Sequence, residues 1–250
     1  MSELHYSTLK AIGTSPAHYK SLLETPRKDS SAFALGRAVH ALWLENKEPV
    51  VFNGAKKRDG KAWSEFAASR ESVEDVLLAA EAENCKRIVE ALQRNRHACE
   101  ILRRNPRKEE AWTHELFGIP CAGKIDLLGP ESLDELKTTS CAAPRKFLWD
   151  AQKYHYDAQL AWYQMSQGVE YIGPDTPWVE SCIVAVESSA PYSVQVYRLD
   201  NLRLDQGAEK ILSWINTLKQ CEASGVWPAY SDEILPWDGE IKFSQEEDEE

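Results

Sequence analysis

Gly123-Lys124-Ile125-Asp126-Leu127-Leu128, a break at Gly129-Pro130-Glu131, then Ser132-Leu133-Asp134-Glu135-Leu136-Lys137-Thr138-Thr139 is the most informative segment of the chain. Two short runs separated by Gly and Pro read as antiparallel strands joined by a turn. Alternate side chains of a strand share a face, so Glu135 and Lys137 point one way and Leu136 the other. A hairpin pairing brings Asp126 close to Glu135. Adjacent carboxylates repel each other unless a cation lies between them. Hard oxygen ligands suit Mg²⁺ or Mn²⁺. A lysine beside that cation can orient a water and stabilise charge developing on a phosphate. This is the minimum equipment for phosphodiester hydrolysis. Acid and lysine on one strand face are more commonly a solvated surface, so the wider context has to carry the argument.

Before this segment, AWTHELFG (111–118) reads as a further strand. Residues 4–25 predict two short helices, with Ser7 capping the first and Ser15-Pro16 opening the second. Residues 31–45 predict a helix with Leu35, Val39, Leu42 and Trp43 on its apolar side. A polar loop at 53–61 precedes helical segments at about 62–69 and 73–104, the latter opening at Ser72-Val73-Glu74-Asp75. After it, residues 144–168 predict a helix stopped by Gly168. Strands at 178–187 and 192–199 and a helix at 201–223 follow. The expected fold class is α/β (α+β), with a small mixed sheet flanked by helices and a helical N-terminal region.

The 250 residues are 43% apolar and 28% charged, ordinary for a globular protein. No stretch approaches the roughly 20 apolar residues that cross a membrane. The N-terminus does not read as a secretory signal, so a cytoplasmic address is the expectation. Six cysteines at 85, 99, 121, 141, 182 and 221 form no CxxC and predict reduced, mostly buried thiols. The net charge is −11, and Glu246, Glu247, Asp248, Glu249 and Glu250 form an acidic tail. Binding DNA would therefore need local positive charge. One concentration is the loop Lys56, Lys57, Arg58 and Lys61, followed by Trp63. The other is Lys86, Arg87, Arg94, Arg96, Arg103, Arg104, Arg107 and Lys108, where a solvated helix face is as good an account. Of nine tryptophans, Trp43, Trp162 and Trp214 fit a core. Trp63 and Trp149 are candidates for stacking on a frayed DNA end, with core packing the commoner role for each.

LGRAVH (35–40), HEL (114–116), GKIDLL (123–128), DELKTT (134–139) and YHYDAQLAWY (154–163) occur in an order that resembles the RecB-like branch of the PD-(D/E)XK nuclease superfamily. Within it the chain is most similar to the RecE-type recombination exonucleases of phages and prophages, over roughly residues 4–165. The resemblance implies a restriction-endonuclease-like core. It implies that His40, Asp126 and Glu135 bind metal, Glu135 being the acid of the D/E-x-K motif, where RecE-type proteins often have Asp. It makes Lys137 the catalytic lysine, Gln159 and Tyr163 the QxxxY pair, and the Leu136 carbonyl a further ligand. Glu115 stands where RecB-like proteins often carry a strand glutamate and is an added candidate, as is His155, one turn before Gln159. Spacing fits separately: Gly36 and His40, and Gln159 and Tyr163, are i,i+4 pairs on one helix face. Gly36 would let its helix approach the sheet.

The resemblance further implies one nuclease domain over 1–240: a helical part to about 108, a catalytic core at about 109–200 and a helix at about 201–223. Residues 241–250 would be a disordered tail. The implied activity is a Mg²⁺- or Mn²⁺-dependent exonuclease that digests linear double-stranded DNA 5′ to 3′ for single-strand annealing. The implied partners are duplex DNA ends, a single-strand annealing protein and further copies of the chain in a trimeric or tetrameric ring, with no membrane. Two alternatives stay open: a RecB-like endonuclease of another DNA-processing assembly, and a non-catalytic DNA-binding member of the same fold.

Overall fold

The computed structural model of the protein describes residues 3–25, 30–231 and 234. The acidic tail at 241–250 lies outside them. The central hairpin is β4 (Arg107–Leu116) and β5 (Ile119–Leu128), joined through Phe117 (φ 55°) and Gly118 (φ 74°). Two positive φ values in succession are the two-residue turn whose twist suits antiparallel strands, and glycine supplies one at no steric cost. β4 takes one edge of β5 along its whole length. The other edge is shared. Leu4–His5 (β1) pairs in parallel at Cys121 and Ala122, and Leu133–Thr139 (β6) pairs antiparallel at Leu127 and Leu128. Residues 123–126 lie between these two partners.

The sheet continues from β6 to β7 (Ser181–Glu187) in parallel, then to β8 (Val194–Leu199) antiparallel. The mixed sheet with flanking helices is the expected fold class. The β6–β7 crossover contains α7 (Pro144–Lys153) and α8 (Tyr156–Ser166). The first 25 residues also hold α1 (Tyr6–Leu9), a 3₁₀ turn at Lys10–Gly13 and α2 (Pro16–Glu24). Further on come α3 (Ser31–Glu45), β2 (Val51–Phe52), α4 (Gly60–Ala68) and β3 (Leu77–Leu78), with β2 and β3 paired in parallel. α5 (Ala79–Arg94) and α6 (Arg96–Arg104) precede the sheet, and α9 (Asn201–Ser224) follows it.

β7 alternates strictly between two cores. Ile183 and Ala185 join one built with α8 and α9, whereas Cys182, Val184 and Val186 join another built with α3, α5 and α6. Trp162 is fully buried in the first, near Trp112 and Phe117. Each fully buried side chain of this size contributes about 1.5–3 kcal/mol. Trp43 and Trp214 are core residues as expected, and the six cysteines are free, four of them buried.

Several expected boundaries differ. The first helix has His5 rather than Ser7 at its N-cap, whereas Ser15 does cap α2, accepting from the His18 amide at 3.3 Å. The helix expected at 73–104 begins only at Ala79, because Glu81 accepts from the Leu78 amide and the Ser72 hydroxyl caps only a turn. It also breaks at Asn95, whose side chain caps α6 by accepting from the Ala98 amide at 3.0 Å. The helix expected at 144–168 breaks at His155, which adopts φ 56°. Its carbonyl accepts a hydrogen bond from the Tyr6 hydroxyl, and α8 leaves in a new direction. No described helix is long and apolar enough to cross a membrane.

Candidate active site

β5 and β6 are paired only at Leu127–Leu128 and then part, because the Asp126 side chain replaces the ladder. Its Oδ2 accepts from the Leu136 amide at 2.9 Å. N–H and C=O of a strand residue point to the same side. The Leu136 carbonyl therefore opens on the same gap, and Leu136 lines the cleft there. This cleft has a volume of about 1000 Å³ and is also lined by His40, Glu109, Asp126, Lys137, Gln159 and Tyr163.

His40 reaches the gap from α3. Ser30 caps that helix by accepting from the Phe33 amide, and Asn46 ends it in the left-handed conformation. At Gly36 a Cβ would lie 3.3 Å from Thr138 Oγ1, so α3 sits close on β6 as the spacing predicts. His40 Nδ1 is 3.1 Å from Glu109 Oε1 and 3.5 Å from Asp126 Oδ1. Burial alone would lower its pKa, but the Asp126 and Glu109 carboxylates outweigh it and hold the imidazole above its usual value. Without a cation, a proton on His40 offsets the two acids.

Glu135 is buried. Its Oε1 accepts from Lys137 Nζ at 2.5 Å and from Gln159 Nε2 at 2.8 Å, while its Oε2 is buried with no hydrogen-bond partner. Burial, and then the charge of Asp126, push the Glu135 pKa up to about 7 against the pull of Lys137. Gln159 also donates to the Tyr163 hydroxyl at 3.2 Å. Lys137 stays cationic: burial disfavours its charge, but Glu135 and Asp126 raise its pKa. The Tyr156 ring centroid lies 5.0 Å from Lys137 Nζ.

Glu109 was not among the expected site residues. It stands opposite Asp126, between the pairs Lys108–Leu127 and Glu110–Ile125, with φ 51°. A left-handed non-glycine residue within a strand is strained, and such strain concentrates at functional sites. Lys124 pairs with its other oxygen. Counting back from the Phe117-Gly118 turn would have placed residue 109 beside 126. Glu115 is displaced from the site. It is exposed, pairs with Pro120 at the far end of the hairpin, and lies six positions from Glu109, about 20 Å along a strand. His155 turns away towards Trp214, 5.1 Å between rings.

The expected DNA loop splits. Lys56, Lys57 and Lys61 are exposed. Arg58 instead forms a two-pronged ion pair with Glu81 and donates to the Val76 carbonyl. Trp63 is half-buried and packs against Phe52 and Phe66. Along the helical stretch, Arg87, Arg94 and Arg96 pair with Glu83, Glu90 and Glu100 one turn away, and Arg104 is bound to buried Asp134. These pairs partly neutralise the basic stripe.

The residues fit a divalent cation. One nitrogen of His40 and one oxygen each of Glu109 and Asp126 lie within 4.8 Å of one another, and the unpartnered Glu135 Oε2 adds an orphaned acceptor. An oxygen-rich set with one imidazole suits Mg²⁺ or Mn²⁺. Mn²⁺ at about a hundred times its dissociation constant is expected to stabilise the protein by about 2.7 kcal/mol. In a thermal melt that is about 5–10 °C. Asp126→Asn should abolish the shift while raising the melting temperature of the cation-free protein, since it removes a repelling charge. A wild-type melting temperature unmoved by Mn²⁺ and Mg²⁺ would rule the site out.

Among curated proteins, none matches the sequence significantly. A crystal structure from Eubacterium rectale, of a protein described as a "Putative exonuclease", superposes with a TM-score of 0.63. It is 14% identical in sequence, over 94% of this chain and 89% of that one, a likeness of fold. The family model described as "PDDEXK-like domain of unknown function (DUF3799)" matches residues 5–235. With its acids and lysine gathered where β5 and β6 part, the chain belongs to this PDDEXK-like family.

Proposed function

We propose that this protein is a divalent-cation-dependent deoxyribonuclease that digests linear duplex DNA from its ends. The observation that carries this is the convergence of Lys137, Asp126, Glu109 and His40 on one cleft, with Glu135 buried against Lys137 and one of its carboxylate oxygens left unpartnered. A divalent cation would supply Lewis-acid charge for the scissile phosphate. His40, Glu109 and Asp126 would hold it, the Leu136 carbonyl opens on the same gap, and Glu135 would join them through its unpartnered Oε2. Gln159 fixes Glu135 in one orientation. Lys137 presents an ammonium that can align the attacking water or neutralise a phosphate oxygen, and in a water-poor site that interaction is strong. Tyr156 and Glu135 restrict where the ammonium can go.

The resemblance to RecE-type enzymes supports a 5′-to-3′ direction, a ring of identical subunits around DNA and hand-over of the single strand to an annealing protein. The test is Mg²⁺-dependent cleavage of linear duplex DNA, 5′-labelled on one strand, beside closed circular DNA. Progressive loss of the linear substrate with early release of label is expected. Cutting of the circle would move the protein to the endonucleases. Failure to cut either, with the fold intact, would leave only DNA binding.

A further inference from the structure

The crossover helix α7 presents an unusual outer face. Its one buried residue is Phe147, stacked on Tyr197 at 4.7 Å and 11°. Trp149 is 50% exposed, and Tyr154, directly after the helix, is 44% exposed. The ring contacts of Trp149 are with cations: Lys146 Nζ at 5.5 Å and Lys153 Nζ at 5.3 Å from its centroid. Lys153 also lies 5.6 Å from the Tyr154 ring. α7 carries Arg145, Lys146 and Lys153 against a single acid, Asp150, which pairs with Lys146. In a chain of net charge −11, this is a local excess of positive charge.

The face is continuous with the active-site cleft. Tyr154 and Tyr156 both line the cleft, their rings 6.0 Å apart, and Tyr156 lies 5.0 Å from Lys137 Nζ. Aromatic rings interleaved with lysines therefore run from the candidate catalytic lysine to the outside of α7. Exposed rings beside cations are what unpaired bases require: each base has a face to stack, and each phosphate needs a positive neighbour. A closed duplex keeps its base faces internal and cannot use such a surface.

We propose that the outer face of α7, with Trp149 and Tyr154 as stacking platforms and Arg145 and Lys153 as phosphate contacts, holds the single-stranded DNA leaving the cleft. The assignment rests on the nuclease function above, which generates that strand beside Lys137.

The test is fluorescence anisotropy of an end-labelled oligothymidylate with the full-length protein in EDTA, where cleavage is suppressed. Trp149→Ala is expected to weaken binding about fivefold or more, the loss of one stacked base. Trp149→Phe should keep most of the affinity. Lys153→Gln should reduce the salt dependence by about 0.7 in slope, one phosphate contact on a single strand. A relaxed covalently closed circular duplex, which offers no unpaired bases, should bind all variants alike. Oligothymidylate affinity unchanged in Trp149→Ala, or an equal loss on the closed circular duplex, would overturn the proposal. The outcomes separate from those of the cleavage test. Wild-type cleavage with Trp149-independent binding removes the track alone. Trp149-dependent binding without cleavage by the wild type removes the nuclease function alone.

Discussion

Lys137→Ala is expected to lower the rate of DNA cleavage by about 10³-fold while leaving cation binding intact, the usual loss when one preorganised donor to developing charge is removed. Lys137 is not in the cation-binding group of His40, Glu109 and Asp126, so the Mn²⁺-induced rise in melting temperature should persist in the variant. Its ammonium is held on one side by Glu135 at 2.5 Å and faces the Tyr156 ring on another, so its position is set before substrate arrives. The loss should therefore appear in the turnover rate at saturating DNA rather than in DNA affinity. Cleavage within about tenfold of wild type would show that Lys137 is not the group that meets the phosphate.

Arg104→Met is expected to cost about 3–5 kcal/mol of stability, the penalty for leaving a buried charge without its partner. Asp134 is 0% exposed. Its carboxylate is gripped at both oxygens by Arg104, at 3.0 and 2.7 Å, and also accepts from Asn105 and the Cys182 amide. The remaining two donors cannot offset a full charge, and burial already biases Asp134 towards its protonated form. For a chain of this size the melting temperature should fall by about 10 °C. Adding Asp134→Asn should recover most of that loss. If it does not, the cost lies in the packing of the Arg104 stem rather than in the charge.

Arg104 and Arg58 show where the sequence was illegible. A cluster of cations suggests phosphate contacts, but the acids that claim them, Asp134 and Glu81, lie 30 and 23 residues away. No local pattern displays such pairing. Trp63 likewise has a partner, Phe52, on a separate strand. The helix breaks at Asn95 and His155 were hidden because no glycine or proline marks either one. α8 falls within the helix expected at 144–168, although nearly its whole surface is buried and it has no polar face to contrast with an apolar one. The β5–β6 hairpin was legible because Gly129-Pro130 punctuates two alternating runs. From that alternation alone, Glu135 and Lys137 share a face. The approach of α3 was legible at Gly36, whereas Glu109 escaped because motif likeness pointed to Glu115. The hairpin register, rather than the motif, locates the acid beside Asp126.

The two hydrophobic cores meet across a sheet, and β5 and β6 part where they meet. His40 comes from the α3 side, while Gln159, gripping Glu135, comes from the α8 side. A cation shared across that gap would act as a keystone, and its hold would report on the seating of both halves. Trimming Val39 or Ile88, which line the α3 core and ligate nothing, would loosen the arch at its crown. Damage to oily packing would then surface as lost grip on an ion that neither residue touches.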